Sequence, residues 1–309
     1  MAKKQKGLGR TKRLLTQNPA KTAREALRPR LALRQSRHEA KSKNQTTLIH
    51  SVGTFRTDRD ALTNIVRWLQ EQGLNLNSLT PEKGCEYINM RLESGLQPKT
   101  VNKDLRVLQN YLGQKLNVKI TLLKPENPRA YQVDEVLAVV QHLSEKHALS
   151  TKIAYAAGLR AHELLTIDHP ELQPPSKRDW VRERFEGRTG VIYTVKGKGG
   201  LIREILIPTH LATELEKHRL ETPVRYLDRE ILYQSHYSIG AGKNWSAAFS
   251  RASREALGWS SGAHGLRHAY AQNRVFELQA SGYLYSFAKQ IVSQELGHFR
   301  PDITDTYLR

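Results

Sequence analysis

Four short stretches in the second half of the chain gather arginines, histidines and a tyrosine at spacings suited to phosphodiester chemistry. The first is Ala157-Gly-Leu-Arg160-Ala-His-Glu163-Leu-Leu165. Gly158 breaks the helix before it, which sets Arg160 at the mouth of the next helix with Glu163 one turn along. An arginine so placed can offer its planar fork to a phosphate, although taken singly it equally suits a surface arginine paired to Glu163. The second is Gly262-Ala-His264-Gly-Leu-Arg267-His268. His264 and Arg267 are three apart, so a helix starting near His264 aims both at one spot. His264 and His268 are four apart, as in a metal-binding pair. Gly265, however, stands where a metalloprotease needs a glutamate base, and no third ligand is evident, so no metal is expected. His268 suits a buried, hydrogen-bonded support for the turn. The last two stretches are Glu295-Leu-Gly-His298-Phe299 and Arg300-Pro-Asp-Ile-Thr-Asp-Thr-Tyr307. Pro301 is placed to begin a short helix with Ile303 and Tyr307 on one face. A tyrosine in such a place, taken singly, is a half-buried aromatic.

The elements that must hold these groups lie in a domain expected over residues 130–309. Helices run from Tyr131 onward, interrupted once by a strand signal. Gly190–Lys196 and Leu201–Ile207 are β-rich runs joined by Gly197-Lys198-Gly199-Gly200, which reads as a hairpin with a lysine-bearing tip. Pro174-Pro175 and the charged run after them read as a surface loop. Ahead of this, residues 46–124 predict a bundle of short helices. Leu62, Ile65, Val66 and Leu69 recur at helical spacing before Gly73. Thr80-Pro81 caps a second helix, which carries Cys85, Ile88, Asn89 and Leu92 before Gly95 ends it. Pro98-Lys-Thr opens a third, with Val101, Leu105, Leu108 and Leu112 inward. Ile120–Arg129, with two prolines, reads as an exposed linker.

Charge separates off the start of the chain. Residues 1–45 form a basic extension in which 14 lysines and arginines, from Lys3 to Lys43, face two acids, Glu25 and Glu39. No aromatic residue is present there, so the segment cannot build a core alone. A solvated tail, a DNA-tracking arm partly helical around Thr22–Leu27, and a targeting peptide all fit; the arm is the reading carried forward. The whole chain carries a net charge of +19, which argues for a polyanionic partner. No apolar run approaches the roughly 18 residues of a membrane span, and no signal core is visible. The single cysteine, Cys85, excludes an intramolecular disulfide and a multi-cysteine zinc site. A cytoplasmic, nucleoid-associated protein without membrane contact is expected.

The four stretches, taken in order, resemble the signature of the tyrosine recombinases, the phage integrase family: Gly-Leu-Arg-x-x-Glu-Leu, Gly-Lys-Gly in a hairpin, His-x-Leu-Arg-His, and Leu-Gly-His with a tyrosine nine residues later. The segment from Ser78-Leu-Thr-Pro-Glu through Pro98-Lys-Thr-Val-Asn-Lys-Asp-Leu is similar to the family's helical core-binding domain. The resemblance leaves out only residues 1 to about 45 and the Pro174 loop. It implies a mainly α fold with a small β-hairpin sheet: a SAM-like core-binding domain followed by a mixed α+β catalytic domain. It also implies roles. Tyr307 is the nucleophile that forms a 3′-phosphotyrosine link, and Arg160 and Arg267 grip the phosphate. His264 handles the tyrosine's proton, His298 hydrogen-bonds the phosphate, and Lys198 protonates the leaving 5′-oxygen. Glu163 and His268 are supports. Lys99, Lys103, Arg106, Lys196 and the basic segment are expected to contact DNA. The phosphotyrosine keeps the bond energy, so no cofactor is expected. Lys196 shares a strand face with Lys198 and competes with it as the acid. The chain stops at Arg309, where family members commonly continue with a segment that docks on a neighbouring subunit.

What the resemblance implies biologically is a site-specific recombinase on double-stranded DNA, a homotetramer on paired sites with accessory DNA-bending proteins. A mobile-element integrase is preferred, on the basic extension, over a chromosome dimer resolvase. A type IB topoisomerase-like enzyme, a catalytically silent DNA-binding protein and a metal-dependent nuclease are the rivals.

Overall fold

The computed structural model of the chain describes residues 17–33, 47–122, 128–197 and 199–308. It divides into two compact units, with the break after Pro125. Lys198 and the basic residues Lys3–Arg13 and Arg34–Lys43 lie outside the described residues.

The first unit is helical. Helix α1 (Pro19–Leu27) starts where the Asn18 side chain accepts from the Ala20 and Lys21 amides, with proline at the first helical position. Helix α2 (Val52–Glu71) is capped by the Ser51 hydroxyl, and α3 (Pro81–Glu93) by that of Thr80. Helix α4 (Pro98–Leu112) ends on Gly113 in the left-handed region. The expected apolar residues of α2 and α4 meet in one core with Tyr87 and Ile88 of α3. On α3, Tyr87 and Ile88 are buried while Asn89 is exposed. Helix α1 belongs to this same core through Ala23 and Leu27, and a β-bridge joins Leu31 to Ile49. Part of the basic extension is therefore built into the helical module instead of standing apart. The cause is local: Ala23, Leu27 and Leu31 recur every four residues and give α1 an apolar stripe.

The second unit holds the four stretches. Helices α5 (Val133–Gln141) and α6 (Glu145–Ala157) lead to a single 3-10 turn, Glu163–Thr166. Strands β1 (Val191–Lys196) and β2 (Ile202–Ile207) pair antiparallel, Val191 opposite Ile207 and Lys196 opposite Ile202. That is the expected hairpin. Helix α7 (Thr209–Glu216) follows.

A second antiparallel hairpin then appears, β3 (Arg219–Asp228) with β4 (Ile231–Tyr237), where no further strand was expected. Its turn residues Arg229 and Glu230 both take positive φ without a glycine or asparagine to announce it. Val224, Leu227 and Leu232 stand exposed, so burial imposes no alternation on the sequence. Helices α8 (Gly242–Leu257), α9 (His264–Ala280), α10 (Tyr285–Glu295) and the one-turn α11 (Pro301–Thr304) complete the unit. The main core joins α5, α6, β1, β2, α7 and α8. A smaller cluster between α9 and α10 includes the Tyr307 ring.

Candidate active site

Glu163 is the hub. It is fully buried and its two oxygens face three guanidinium groups. Arg160 donates to Oε1 at 2.6 Å, Arg203 donates to Oε2 at 2.9 Å, and Arg267 lies 3.7 Å from Oε2. Burial alone would raise the Glu163 pKa, but Arg203, Arg160 and Arg267 hold it well below the usual carboxylate range. One carboxylate among three cations leaves a local positive excess, the charge a phosphate neutralises. Gly158 sets this geometry. It ends α6 with φ +63°, and a Cβ there would come within 2.7 Å of the Tyr270 ring. Arg160 precedes a 3-10 turn, not the α-helix expected, so its own amide donates to Glu163 Oε2 at 2.9 Å.

Arg267, one turn into α9, is fully buried. It donates to the Gly158 carbonyl at 2.5 Å and to that of Leu296, where α6 and α10 end. Helix C-termini carry partial negative charge and suit a cation. Burial, and then Arg160, nevertheless pull the Arg267 pKa below its ordinary value. Its Nε has no hydrogen-bond partner among the described residues.

Tyr307 is brought to this cluster by the turn after α11 and is 6% exposed. Its amide donates to the Thr304 carbonyl, and Gln272 donates to its own carbonyl at 3.0 Å. The ring lies 5.0 Å from His268 and 5.6 Å from both His264 and His298, and the Arg267 guanidinium sits 5.4 Å from its centroid. Burial acts against the Arg160 charge, and Glu163 and then Tyr307 beside it more than offset that. His298 follows α10 and takes an Arg160 N–H on Nε2 at 2.8 Å. Desolvation, with Arg267 and Arg160 beside it, lowers the His298 pKa to about 3. His264 opens α9 with part of its ring still open to solvent; partial desolvation, then Arg267 and His268 beside it, lowers its pKa too. Both imidazoles are therefore neutral near pH 7, and with His298 Nε2 occupied by Arg160, His264 is the one placed to accept a proton. A phenol flanked by neutral imidazoles and two guanidinium groups is an oxygen nucleophile whose anion would be stabilised.

The loop expected from Pro174-Pro175 through the charged run after them is a loop here too, and it is pinned to α10 as a strap. The Val181 amide donates to Gln294 Oε1 at 2.7 Å, and the Phe185 amide donates to Glu295 Oε1 at 2.8 Å. The Trp180 ring lies between the Arg184 guanidinium (4.4 Å) and Phe299 (4.9 Å), the residue after His298. Glu295 is wholly buried and also receives the Tyr270 hydroxyl and Arg274 Nε. Sequence reasoning missed Arg203 and gave Glu295 no role. Neither has a motif spacing to betray it, because the partners of Arg203 lie 40 and 92 residues away.

The structure brings Arg160, Glu163, His264, Arg267, His268, His298 and Tyr307 together. Lys196 ends β1 and is exposed. Lys99, Lys103 and Arg106 lie on α4 in the helical unit. Lys99 is exposed, and Arg106 donates to Asp58 of α2 at 2.8 Å. Among the described residues, the one grouping of three possible metal ligands is Glu145, Glu214 and His218, which includes neither His264 nor His268. No described helix is long and apolar enough to cross a membrane.

No family model matches the chain, and no curated protein sequence does. Solved structures do. The Tn1549 transposon integrase in complex with transposon right end DNA is similar over 93% of this chain and 95% of that one, with a TM-score of 0.54 at 16% identity. A lambda integrase dimer bound to a COC′ core site matches 88% of this chain and 75% of that one, with a TM-score of 0.55 at 15% identity. The XerH site-specific recombinase bound to difH matches 97% and 92%, also at 0.55 and 15% identity. At these coverages the likenesses extend over both units. The chain has the tyrosine recombinase fold.

Proposed function

We propose that this protein is a site-specific DNA recombinase that cuts and rejoins double-stranded DNA through Tyr307. The observation that carries the reading is the convergence on one phenol of Arg160, Arg267, His264, His268 and His298, from segments far apart in sequence. Tyr307 Oη attacks the phosphorus, the bond to the 5′-oxygen breaks, and a 3′-phosphotyrosine remains. His264, neutral and beside the ring, takes the phenolic proton, and Lys198 gives one to the departing 5′-oxygen. Arg160 and Arg267 neutralise the non-bridging oxygens of the transition state. His298 adds a hydrogen bond to the phosphate, and Glu163 holds the arginines in place. The step needs no metal, because two guanidinium groups supply the charge and the phosphotyrosine keeps the energy for religation. Lys196, Lys99, Lys103, Arg106 and the basic segment Lys3–Lys43 contact the DNA. The working form is a homotetramer on paired sites, with DNA-bending accessory proteins. The basic start of the chain favours a mobile-element integrase.

The test is a nicked suicide substrate that traps the covalent complex. The wild-type protein should give a DNA adduct that survives denaturation and chelator. Tyr307→Phe should bind the same DNA and give none, since only the phenol oxygen is lost. An adduct from the Phe variant would assign the nucleophile elsewhere.

A further inference from the structure

We infer that Arg203 is a positioning residue for Arg267: by occupying Glu163 it keeps that carboxylate from drawing Arg267 away from the scissile phosphate. The inference rests on the strand-cleavage reading above and adds a residue to it.

Arg203 sits on β2 and is 1% exposed. One terminal nitrogen donates to Glu163 Oε2 at 2.9 Å, and the other donates to the Glu295 carbonyl at 2.7 Å. The Arg160 amide donates to the same Oε2, also at 2.9 Å. Arg267 Nη1 stands 3.7 Å from that oxygen, just out of contact, and donates instead to the Gly158 carbonyl at 2.5 Å. Arg267 Nη2 donates to the Leu296 carbonyl. Two neutral carbonyls therefore aim Arg267, although a buried anion lies a short step away.

A guanidinium offered both a carbonyl and a carboxylate favours the carboxylate, because a hydrogen bond between two charges is about twice as strong as a neutral one. Arg203 removes that choice by supplying both the charge and the hydrogen bond at Oε2. Without Arg203, the Arg160 amide alone would remain on Oε2, and Glu163 is fully buried. A buried charge stripped of a partner is strongly destabilised, and the nearest replacement is Arg267 Nη1. Closing the 3.7 Å gap to a contact of about 2.9 Å moves that nitrogen by roughly 1 Å and draws it off Gly158. A misplacement of about 1 Å can slow a reaction on the order of 100-fold. Arg160 is held by the other oxygen, Oε1, at 2.6 Å, so its grip should change less.

The experiment compares cleavage of ordinary DNA with cleavage of DNA in which an uncharged methyl group replaces one non-bridging oxygen of the scissile phosphate. That phosphorus centre carries no negative charge for Arg267 to neutralise, so a misaimed Arg267 matters less there. Arg203→Met should bind DNA as the wild type does and cleave ordinary DNA about 10- to 100-fold more slowly. On the methyl substrate it should come within a few-fold of wild type. A residue that only stabilises the fold would give the same defect on both. Arg203→Lys keeps a cation beside Glu163 and should lose less than Arg203→Met, and it carries the same comparison if the Met variant does not fold. A crystal structure of the folded variant with the larger defect should show Arg267 bonded to Glu163, a readout that needs no cleavage. An equal defect on the two substrates, or an Arg267 that stays on the Gly158 carbonyl, would each overturn the inference. A wild-type protein that forms no adduct would instead sink the cleavage reading, and the position of Arg267 in the variant would still decide this one.

Discussion

His298 accepts a proton donor on Nε2 from Arg160, so its own proton lies on Nδ1, which meets no partner among the described residues. For His298 to donate to a phosphate through Nε2, Arg160 must first turn away and the imidazole must exchange its tautomer. The arriving phosphate supplies the reason, since it offers Arg160 a stronger, charge-assisted acceptor. The neutral state also has a consequence for stability. The His298 pKa is lowered from its ordinary value of about 6.5 to about 3 by desolvation and the arginines. The unfolded chain then takes up a proton that the folded chain does not, between those two values. Stability attached to this residue is full above about pH 6.5 and is lost as pH falls toward 3. Denaturant midpoints at pH 7 and pH 5 should therefore differ less for His298→Asn, which cannot titrate, than for the wild type. An equal difference in both proteins would show that His298 is not held neutral.

The strap and the two hairpins show what the sequence could reveal about elements. The β1–β2 hairpin was legible because Gly197-Lys-Gly-Gly200 separates two β-rich runs. The helices of the first unit were legible from apolar spacing and caps such as Thr80-Pro81. The β3–β4 hairpin was not, because neither its turn chemistry nor its burial leaves a mark. The loop after Pro174-Pro175 was legible as a loop, but its anchors were not, because they are backbone amides. Val181 and Phe185 reach side chains more than 100 residues away, and main-chain donors have no sequence signature. Phe185 bends the strap at a φ of +64° to make its bond. The candidate site divides in the same way. The motif residues could be found by spacing, whereas Arg203 and Glu295 are known only by what folds against them. Glu295→Gln leaves the buried Arg274 facing a neutral amide and weakens the bonds from Tyr270 and Phe185. It should destabilise the fold by about 3 kcal/mol, as expected when one partner of a buried ion pair is removed. Urea unfolding would measure the loss, and a change below about 1 kcal/mol would show that the strap is not held through this carboxylate.

At the scale of the molecule, the positive charge and the fold overlap near the start of the chain. Residues 1–16 hold Lys3, Lys4, Lys6, Arg10, Lys12 and Arg13, whereas residues 19–27 are a helix of the first core. Two truncations should therefore behave differently. Removing residues 1–16 should leave thermal stability unchanged and flatten the salt dependence of DNA binding, by about 0.9 in log–log slope for each phosphate no longer neutralised. Discrimination between target and random DNA should change little, because a cation on a phosphate reads no bases. Removing residues 1–44 also strips Ala23 and Leu27 from the core and should lower the melting temperature of the helical unit. Leu27→Ala, which keeps every charge, should cost about 3 kcal/mol by itself. An unchanged slope in the shorter truncation would make its six cations spectators.

The enclosure of Tyr307 has a consequence for reactivity in the absence of DNA. Tyr307 is only 6% exposed, with three imidazole rings and an arginine against its ring, whereas Tyr285 in the same unit is 48% exposed. A tyrosine-nitrating reagent should therefore mark Tyr285 and spare Tyr307 in the free protein. On the function proposed above, this packing would hold the ring of the nucleophile in one orientation before any DNA arrives, so that binding need not spend free energy on ordering it.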